Sequence, residues 1–204
     1  MLPYFKKLPF ALKEEFREKL LSFAHGKRLH YLNDGRHTFK KLSPDKQSAP
    51  HMFQFSNDNE IDVEILETLK PLLNQLKYKP IDIWGKSSVL FFYTPAGFAI
   101  PLHTDGTDCK TQDGRPATLS LQLLKESGKD PTIFYKEENS SPKAYCYYDP
   151  NIFYLLNTSK FHSSDELKYE RYQFQISFDF DMSSDDIDYE NFFDVTIDGP
   201  VYRP

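Results

Sequence analysis

The feature that most constrains the fold is a change in hydrophobic periodicity near residue 81. Before it, apolar residues recur at helical spacing; after it, short runs rich in Phe, Tyr, Ile and Leu are separated by turn residues. Short strands with turn signals between them are typical of a sandwich or barrel of the jelly-roll type. The candidate strands cover residues 81–84, 89–94, 98–103, 117–124, 132–136, 144–148, 152–156 and 172–180, and residues 193–197 form a ninth candidate.

The first 80 residues are predicted to supply helices and loops. Residues 1–10 are expected to be extended, as an edge strand or arm, and residues 11–24 to form an amphipathic helix. A second helix is predicted over residues 60–77, where Pro71 would kink or split it. Residues 26–59 are expected to form loops with room for one short strand. Two helices before a run of strands are expected to pack on the outside of one sheet.

A single domain is predicted for residues 1–204, with helical support and loops over 1–80 and a β core over 81–198. The sequence has no internal repeat and no low-complexity linker, and 204 residues suit one hydrophobic core. The fold class expected from these patterns is mainly β with flanking helices.

Composition and charge exclude several classes of protein. A net charge of −5 disfavours a nucleic-acid partner. No window approaches the roughly 18 apolar residues of a membrane span, and residues 1–10 lack the apolar segment of a signal peptide. Cys109 and Cys146 show neither metal-binding spacing nor a disulfide framework. A cytoplasmic location is therefore expected.

Four residues, in a fixed order, point to a metal site. His103 and Asp105 are two positions apart at the end of a candidate strand, so both side chains would point to one face. His162 follows 57 residues after Asp105, and Arg171 opens the next candidate strand. Two imidazoles and one carboxylate form a facial triad that suits Fe(II) and leaves coordination positions open, and the lack of Cys ligands argues against structural zinc.

Two other interpretations fit the same residues. A chain with six histidines can contain one His-x-Asp by chance. One alternative is a cupin-like or jelly-roll protein that holds a metal, or none, without turnover. The other is a cupin-type metalloenzyme that uses no keto acid. Whether activity depends on a metal and on a cosubstrate would distinguish these two alternatives from an iron-dependent enzyme.

The segments around these residues resemble the Fe(II)- and 2-oxoglutarate-dependent oxygenases. The resemblance rests on PLHTDG, then FYLLNTSKFHSS, then ERYQFQISF, in the order that the family shows. LFFYTPAGFAIPLHTDG also resembles the strand, turn and metal strand of the family, and RPATLSLQLL resembles the strand after the metal loop. The resemblance covers roughly residues 88–180 and implies a double-stranded β-helix fold. It also implies Fe(II), with 2-oxoglutarate and O2 as cosubstrates.

By this resemblance, His103, Asp105 and His162 would be the iron ligands. Arg171 would bind the far carboxylate of 2-oxoglutarate, because the planar guanidinium pairs with a carboxylate through two parallel hydrogen bonds. In this family 2-oxoglutarate is converted to succinate as the substrate is oxidised.

Three further residues are candidates for contact with the cosubstrate. Tyr93 would donate its hydroxyl to the carboxylate, and Thr118 or Gln122 would face the cosubstrate from the strand after the metal loop. Two departures accompany the resemblance. Gln173 stands where many members have Ser or Thr, and residues 129–132 replace a common Gly-Gly.

The expected substrate is a small molecule, a free amino acid or a peptide side chain, because a chain of this size leaves little room for an added recognition domain. Residues 26–59 and the loop 106–116 are predicted to lie over the site, since function tends to reside on loops around a rigid scaffold.

Overall fold

The computed structural model describes residues 4–34, 51–54, 60–81, 89–105, 115–182 and 184–204. Within these ranges the protein is mainly β, with two antiparallel sheets and two α-helices. The predicted mainly-β class is confirmed. No helix of the described residues is long and apolar enough to cross a membrane.

The larger sheet has seven described strands, and every neighbouring pair is antiparallel. In spatial order they are β11 (Val201–Tyr202), β1 (Phe5–Leu12), β8 (Ile152–Asn157), β5 (Ala117–Gln122), β10 (Arg171–Phe178), β3 (Val89–Thr94) and β2 (His51–Gln54).

The smaller sheet has four described strands and carries the predicted metal residues. Its order is β4 (Ile100–His103), β9 (His162–Ser164), β6 (Thr132–Tyr135) and β7 (Pro142–Cys146), again antiparallel.

The two faces of the larger sheet differ in chemistry, as β10 shows. Tyr172, Phe174 and Ile176 are buried in the main hydrophobic core. Arg171 and Gln173, on alternate positions, line a cavity on the opposite face. Because successive side chains of a strand point to opposite faces, the alternation of apolar and polar residues in this strand separates the core from the cavity.

The first helix differs from the prediction at both ends. α1 spans Glu14–Asp34, whereas a helix over 11–24 was expected. Ala11 and Leu12 belong instead to β1, where they pair with β11 and are fully buried. A short apolar run fits a buried strand as well as a helix, so periodicity alone does not separate them.

The second helix, α2, spans Glu60–Leu73 and ends four residues before the predicted boundary. Pro71 lies inside its last turn rather than dividing it. Beyond the helix, Leu76 forms an isolated β-bridge with Phe193. The ninth candidate strand, 193–197, is otherwise not a strand; the final one is β11 at the C-terminus.

The N-terminal part of the chain supplies more than helices. β1 lies inside the larger sheet and β2 lies at its edge, so residues 1–80 contribute two strands to it. The expected extended N-terminus and short strand are thus present. The candidate strand 81–84 lies outside the described residues, apart from residue 81.

Candidate metal centre and its cavity

The smaller sheet brings His103, Asp105 and His162 together. Each offers one ligand atom, and these atoms lie within 4.8 Å of one another. His103 ends β4 and pairs in register with His162, the first residue of β9. His103 Nε2 lies 3.6 Å from Asp105 Oδ1. Residues far apart in sequence thus form one compact set of two imidazoles and one carboxylate.

Both imidazoles are held in the same tautomer by the backbone. His103 Nδ1 lies 2.8 Å from the carbonyl oxygen of Pro101, and His162 Nδ1 lies 2.9 Å from that of Lys160. Because a carbonyl oxygen only accepts, each Nδ1 carries the proton and donates it. Each Nε2 therefore keeps its lone pair for a metal, an arrangement typical of metal-binding histidines.

Burial favours the metal-binding form of His162. Burial lowers the pKa of His162, because the charged imidazolium loses solvation, and the nearby Asp105 carboxylate opposes this shift. A neutral imidazole is the form that binds a metal.

Asp105 is fixed from two sides. Its backbone N–H donates to the carbonyl of Thr158 at 2.9 Å, and its Oδ2 lies 3.0 Å from Arg115 Nη2. The side chain of Asp105 is 10% exposed, and that of His103 is 41% exposed. The candidate centre therefore has one accessible side chain, that of His103, and two that are enclosed by protein, those of Asp105 and His162.

The three residues line an open cavity with an empty volume of about 550 Å³. Arg115 and Thr158 lie in the lining beside them. Further along it are side chains of the larger and smaller sheets: Thr132, Leu156, Arg171, Gln173 and Gln175. The cavity thus lies between the two sheets and joins the candidate metal-binding residues to a polar wall.

Arg171 is a buried cation in this wall. It is 3% exposed, and its Nη2 donates to the carbonyl oxygen of Asp130 at 2.6 Å. Its Nε has no hydrogen-bond partner, and within the described part of the chain it forms no ion pair. Burial lowers the pKa of Arg171, yet guanidinium stays charged in proteins. A buried cation without an anion is costly, so the site fits a ligand carboxylate.

Thr118 and Gln122 lie on the cavity-facing side of β5. Gln122 pairs with Gln173, and Thr118 pairs with Ser177. Gln122 Nε2 is buried without a partner, and Thr118 Oγ1 lies 3.3 Å from Thr158 Oγ1. Neither residue reaches the cavity lining within the described structure.

Tyr93 lies on the opposite face of the sheet. Its ring packs in the main core against Tyr172, with centroids 4.7 Å apart, and its hydroxyl is 3.4 Å from Glu170 Oε2. Its neighbour Phe92 lines the cavity instead. The hydroxyl expected to face the cosubstrate therefore points away from Arg171.

Sequence reasoning missed Arg115, Thr132 and Thr158. All three line the cavity, but none belongs to a recognisable spacing pattern. Arg115 and Thr158 contact Asp105 across 10 and 53 residues of sequence, which only the folded chain reveals.

Comparison with solved structures agrees with this architecture. A prolyl-4-hydroxylase from Pseudomonas putida superposes with a TM-score of 0.50 at 11% identity, over 86% of this chain and 91% of that one. A prolyl hydroxylase from Trichoplax adhaerens, in complex with a hypoxia inducible factor oxygen degradation domain peptide fragment, gives 0.50 at 14% identity, over 86% and 84%. The chain shares the fold of these two enzymes.

The viral collagen prolyl hydroxylase of Paramecium bursaria Chlorella virus-1, solved with 2OG, gives a TM-score of 0.49 at 18% identity, over 86% of this chain and 95% of that one. No protein-family model and no curated protein sequence matches the chain. The likeness to the two prolyl hydroxylases with a TM-score of 0.50 therefore extends to the fold.

Proposed function

We propose that the protein is a non-haem Fe(II)- and 2-oxoglutarate-dependent hydroxylase. The observation that carries the proposal is that one cavity joins a His-Asp-His cluster at one part of its wall to a buried arginine at another, and that this arginine forms no ion pair with any residue the structure describes. His103, Asp105 and His162 would hold the iron. Arg171 would bind the far carboxylate of 2-oxoglutarate.

The donor set fits this metal. Two imidazoles and a carboxylate on one face of an ion leave positions for cosubstrate and oxygen. When bound, Fe(II) with 2-oxoglutarate and O2 supplies the oxidising chemistry. The chain keeps both Nε2 atoms free through the carbonyls of Pro101 and Lys160, and it orients the Asp105 carboxylate through Arg115.

We further propose one domain in which both helices support the larger sheet from outside. Buried helix residues share the main hydrophobic cluster with side chains of β3, β5 and β10. The helix residues in that cluster are Leu20, Ala24, Ile65, Leu69 and Leu72. Such packing would hold β10 rigid and so fix Arg171.

We propose a peptide side chain as the substrate class. Two of the solved structures with this fold are prolyl hydroxylases, and one of them is in complex with a peptide fragment. His103 lines the cavity and its side chain is 41% exposed, so a polymeric substrate could reach the candidate metal centre from solvent. A small molecule or a free amino acid is the alternative substrate. The cytoplasmic location expected from the sequence stays a prediction.

The first test is anaerobic titration with Fe(II) and then 2-oxoglutarate, followed by visible spectroscopy. A weak charge-transfer band is expected when the keto acid binds, and succinate formation should follow on exposure to O2. His103→Ala and Asp105→Ala should abolish both signals, whereas Asp185→Ala, at an exposed aspartate, should change neither.

Two results would contradict the proposal. Iron binding without the band would favour a cupin-type metal protein that uses no keto acid. Iron binding that survives in both alanine variants would remove His103 and Asp105 from the metal site.

A further inference from the structure

Thr158 lies in the turn between β8 and β9 and is hydrogen-bonded to both Asp105 and Arg115. It is buried and lines the cavity. Its carbonyl oxygen accepts from the amide of Asp105 at 2.9 Å, and its hydroxyl donates to the carbonyl oxygen of Arg115. The next amide in the chain, that of Ser159, donates to the carbonyl oxygen of Pro116 at 3.2 Å. This turn therefore holds the backbone on both sides of the residues that precede β5.

The hydrogen of the Thr158 hydroxyl has a fixed direction. Its partner at Arg115 is a carbonyl oxygen, which only accepts, so Thr158 must be the donor. Thr118 Oγ1 lies 3.3 Å from Thr158 Oγ1. Because the Thr158 hydrogen is already used, Thr118 is the donor in that second bond. Removal of the Thr158 hydroxyl would therefore take this donor from the Arg115 carbonyl.

The same turn also contacts His162. The amide of Lys160 donates to the carbonyl oxygen of Asn157 at 3.2 Å, which closes the turn. The carbonyl oxygen of Lys160 in turn accepts from His162 Nδ1 at 2.9 Å. One turn therefore holds the two enclosed side chains of the candidate centre, His162 through Lys160 and Asp105 through Thr158.

Arg115 connects the backbone held by Thr158 to the carboxylate of Asp105. Arg115 Nη2 lies 3.0 Å from Asp105 Oδ2, whereas Asp105 Oδ1 lies 3.6 Å from His103 Nε2. The side chains of this ion pair are 19% and 10% exposed, so solvent and salt screen the pair less than they would screen one on the surface. Oδ1 is the oxygen that this arrangement leaves for a metal.

We propose that Thr158 is a positioning residue of the metal centre, which acts through Arg115 to hold the carboxylate of Asp105 in place relative to His162. This inference rests on the proposed function, in which Asp105 and His162 bind the iron. The hydroxyl of Thr158 places the backbone of Arg115, and the guanidinium then holds Asp105 Oδ2. Thr158 itself binds neither metal nor substrate in this role.

The test is Mn(II) binding to the full chain, measured by titration calorimetry. Thr158→Val removes the hydroxyl, keeps the shape of the side chain and should weaken Mn(II) binding about tenfold, the lower end of what groups that orient metal ligands contribute. Thr158→Ser keeps the hydroxyl and should bind Mn(II) as the wild type does. Thr118→Val is the matched control, because it removes the other buried hydroxyl of the pair and leaves the bond to Arg115 in place. Its Mn(II) affinity should stay within about twofold of wild type.

A double-mutant cycle with Arg115→Gln separates positioning from packing. If Thr158 acts through the Arg115 side chain, Thr158→Val should cause no further loss of Mn(II) affinity in the Arg115→Gln protein. A hydroxyl that served only the fold would instead lower the midpoint of urea unfolding in both backgrounds and leave Mn(II) affinity unchanged in each.

The inference is overturned by wild-type Mn(II) affinity in Thr158→Val, or by an equal loss of affinity with and without Arg115→Gln. Should Thr158→Val not fold, Thr158→Ala, which also removes the hydroxyl, decides between the same outcomes. Failure of the proposed function is distinct. In that case the wild-type protein itself would bind no Mn(II), or would show no charge-transfer band with Fe(II) and 2-oxoglutarate, and neither result depends on Thr158.

Discussion

Arg115 and Asp105 are joined through both backbone and side chain. The amide of Arg115 donates to the carbonyl of Asp105 at 2.8 Å, and Arg115 Nη2 lies 3.0 Å from Asp105 Oδ2. Thr158 is hydrogen-bonded to both residues: its carbonyl accepts from the Asp105 amide, and its hydroxyl donates to the Arg115 carbonyl. One carboxylate oxygen is therefore engaged by protein, and the other, Oδ1, faces His103.

Arg115→Gln is expected to weaken metal binding about tenfold or more. The loss of Nη2 frees the carboxylate to rotate, and groups that orient metal ligands typically contribute on this scale. Anaerobic Fe(II) titration measures the effect, with Arg203→Gln, at an exposed arginine, as the control. An unchanged affinity would mean that the backbone contacts alone orient Asp105.

Metal binding should stabilise the fold through both histidines. At a free Mn(II) concentration about 100 times its Kd, the free energy of unfolding should rise by about 2.7 kcal/mol, because only the native state assembles the site. His162→Ala should abolish the increase. Urea unfolding with and without Mn(II) gives the comparison, and Ca²⁺, which prefers oxygen ligands, should have little effect on the wild-type protein. Stabilisation retained by His162→Ala would place the metal elsewhere.

Much of the β core is predictable because its two faces differ chemically. In β10 alternate residues enter the apolar core and the polar cavity, so the sequence shows a regular alternation. β9 was not predicted, since its three residues, His-Ser-Ser, have no apolar pattern of their own. The pairing of β9 with β4 and β6 determines it as a strand.

The candidate site, like the β core, was predictable from the sequence only in part. His103, Asp105 and His162 were grouped from residue type, order and strand geometry, and the structure brings them together. Arg115 and Thr132 were not, because their partners lie 10 and 16 residues away across loops and neighbouring strands. Such contacts depend on tertiary packing, which the hydrophobic periodicity of a single segment does not reveal.

Glu14 is expected to stabilise the protein above mildly acidic pH. Both of its carboxylate oxygens bond to Arg17, at 2.8 and 3.1 Å, and Asn151 and Lys125 donate to it as well. These contacts, led by Arg17, hold the pKa of Glu14 well below its usual range. A depressed folded-state pKa means that the stabilisation is complete above the unfolded pKa and declines as pH falls towards the folded value.

Glu14→Gln should therefore lower the free energy of unfolding by about 1 kcal/mol at neutral pH, a modest value because the side chain is 41% exposed. Below about pH 4 the difference from wild type should shrink, since Glu14 protonates readily in the unfolded state. Urea unfolding across this pH range tests it, with the exposed neighbour Glu15→Gln as control. A difference independent of pH would assign the effect to packing.

Arg171→Met should separate function from stability, with Arg17→Met as the matched comparison. Both arginines are buried, at 3% and 6% exposure, but only Arg17 has a carboxylate partner in the described structure. Arg17→Met should therefore destabilise the protein by about 2 kcal/mol and leave 2-oxoglutarate affinity unchanged.

Arg171→Met should leave the stability of the metal-free protein within about 1 kcal/mol of wild type, or raise it, because a buried cation that has no anionic partner among the described residues is replaced by an apolar chain of similar length. Its Kd for 2-oxoglutarate should rise about 10- to 100-fold through loss of the charge-assisted hydrogen bonds. Urea unfolding measures the stability of both variants, and titration calorimetry measures their affinity for 2-oxoglutarate. Arg171 would instead be a structural residue if Arg171→Met destabilised the fold as much as Arg17→Met and still bound 2-oxoglutarate with wild-type affinity. An arginine whose role is to bind the cosubstrate should affect cosubstrate affinity and leave the stability of the ligand-free protein nearly unchanged.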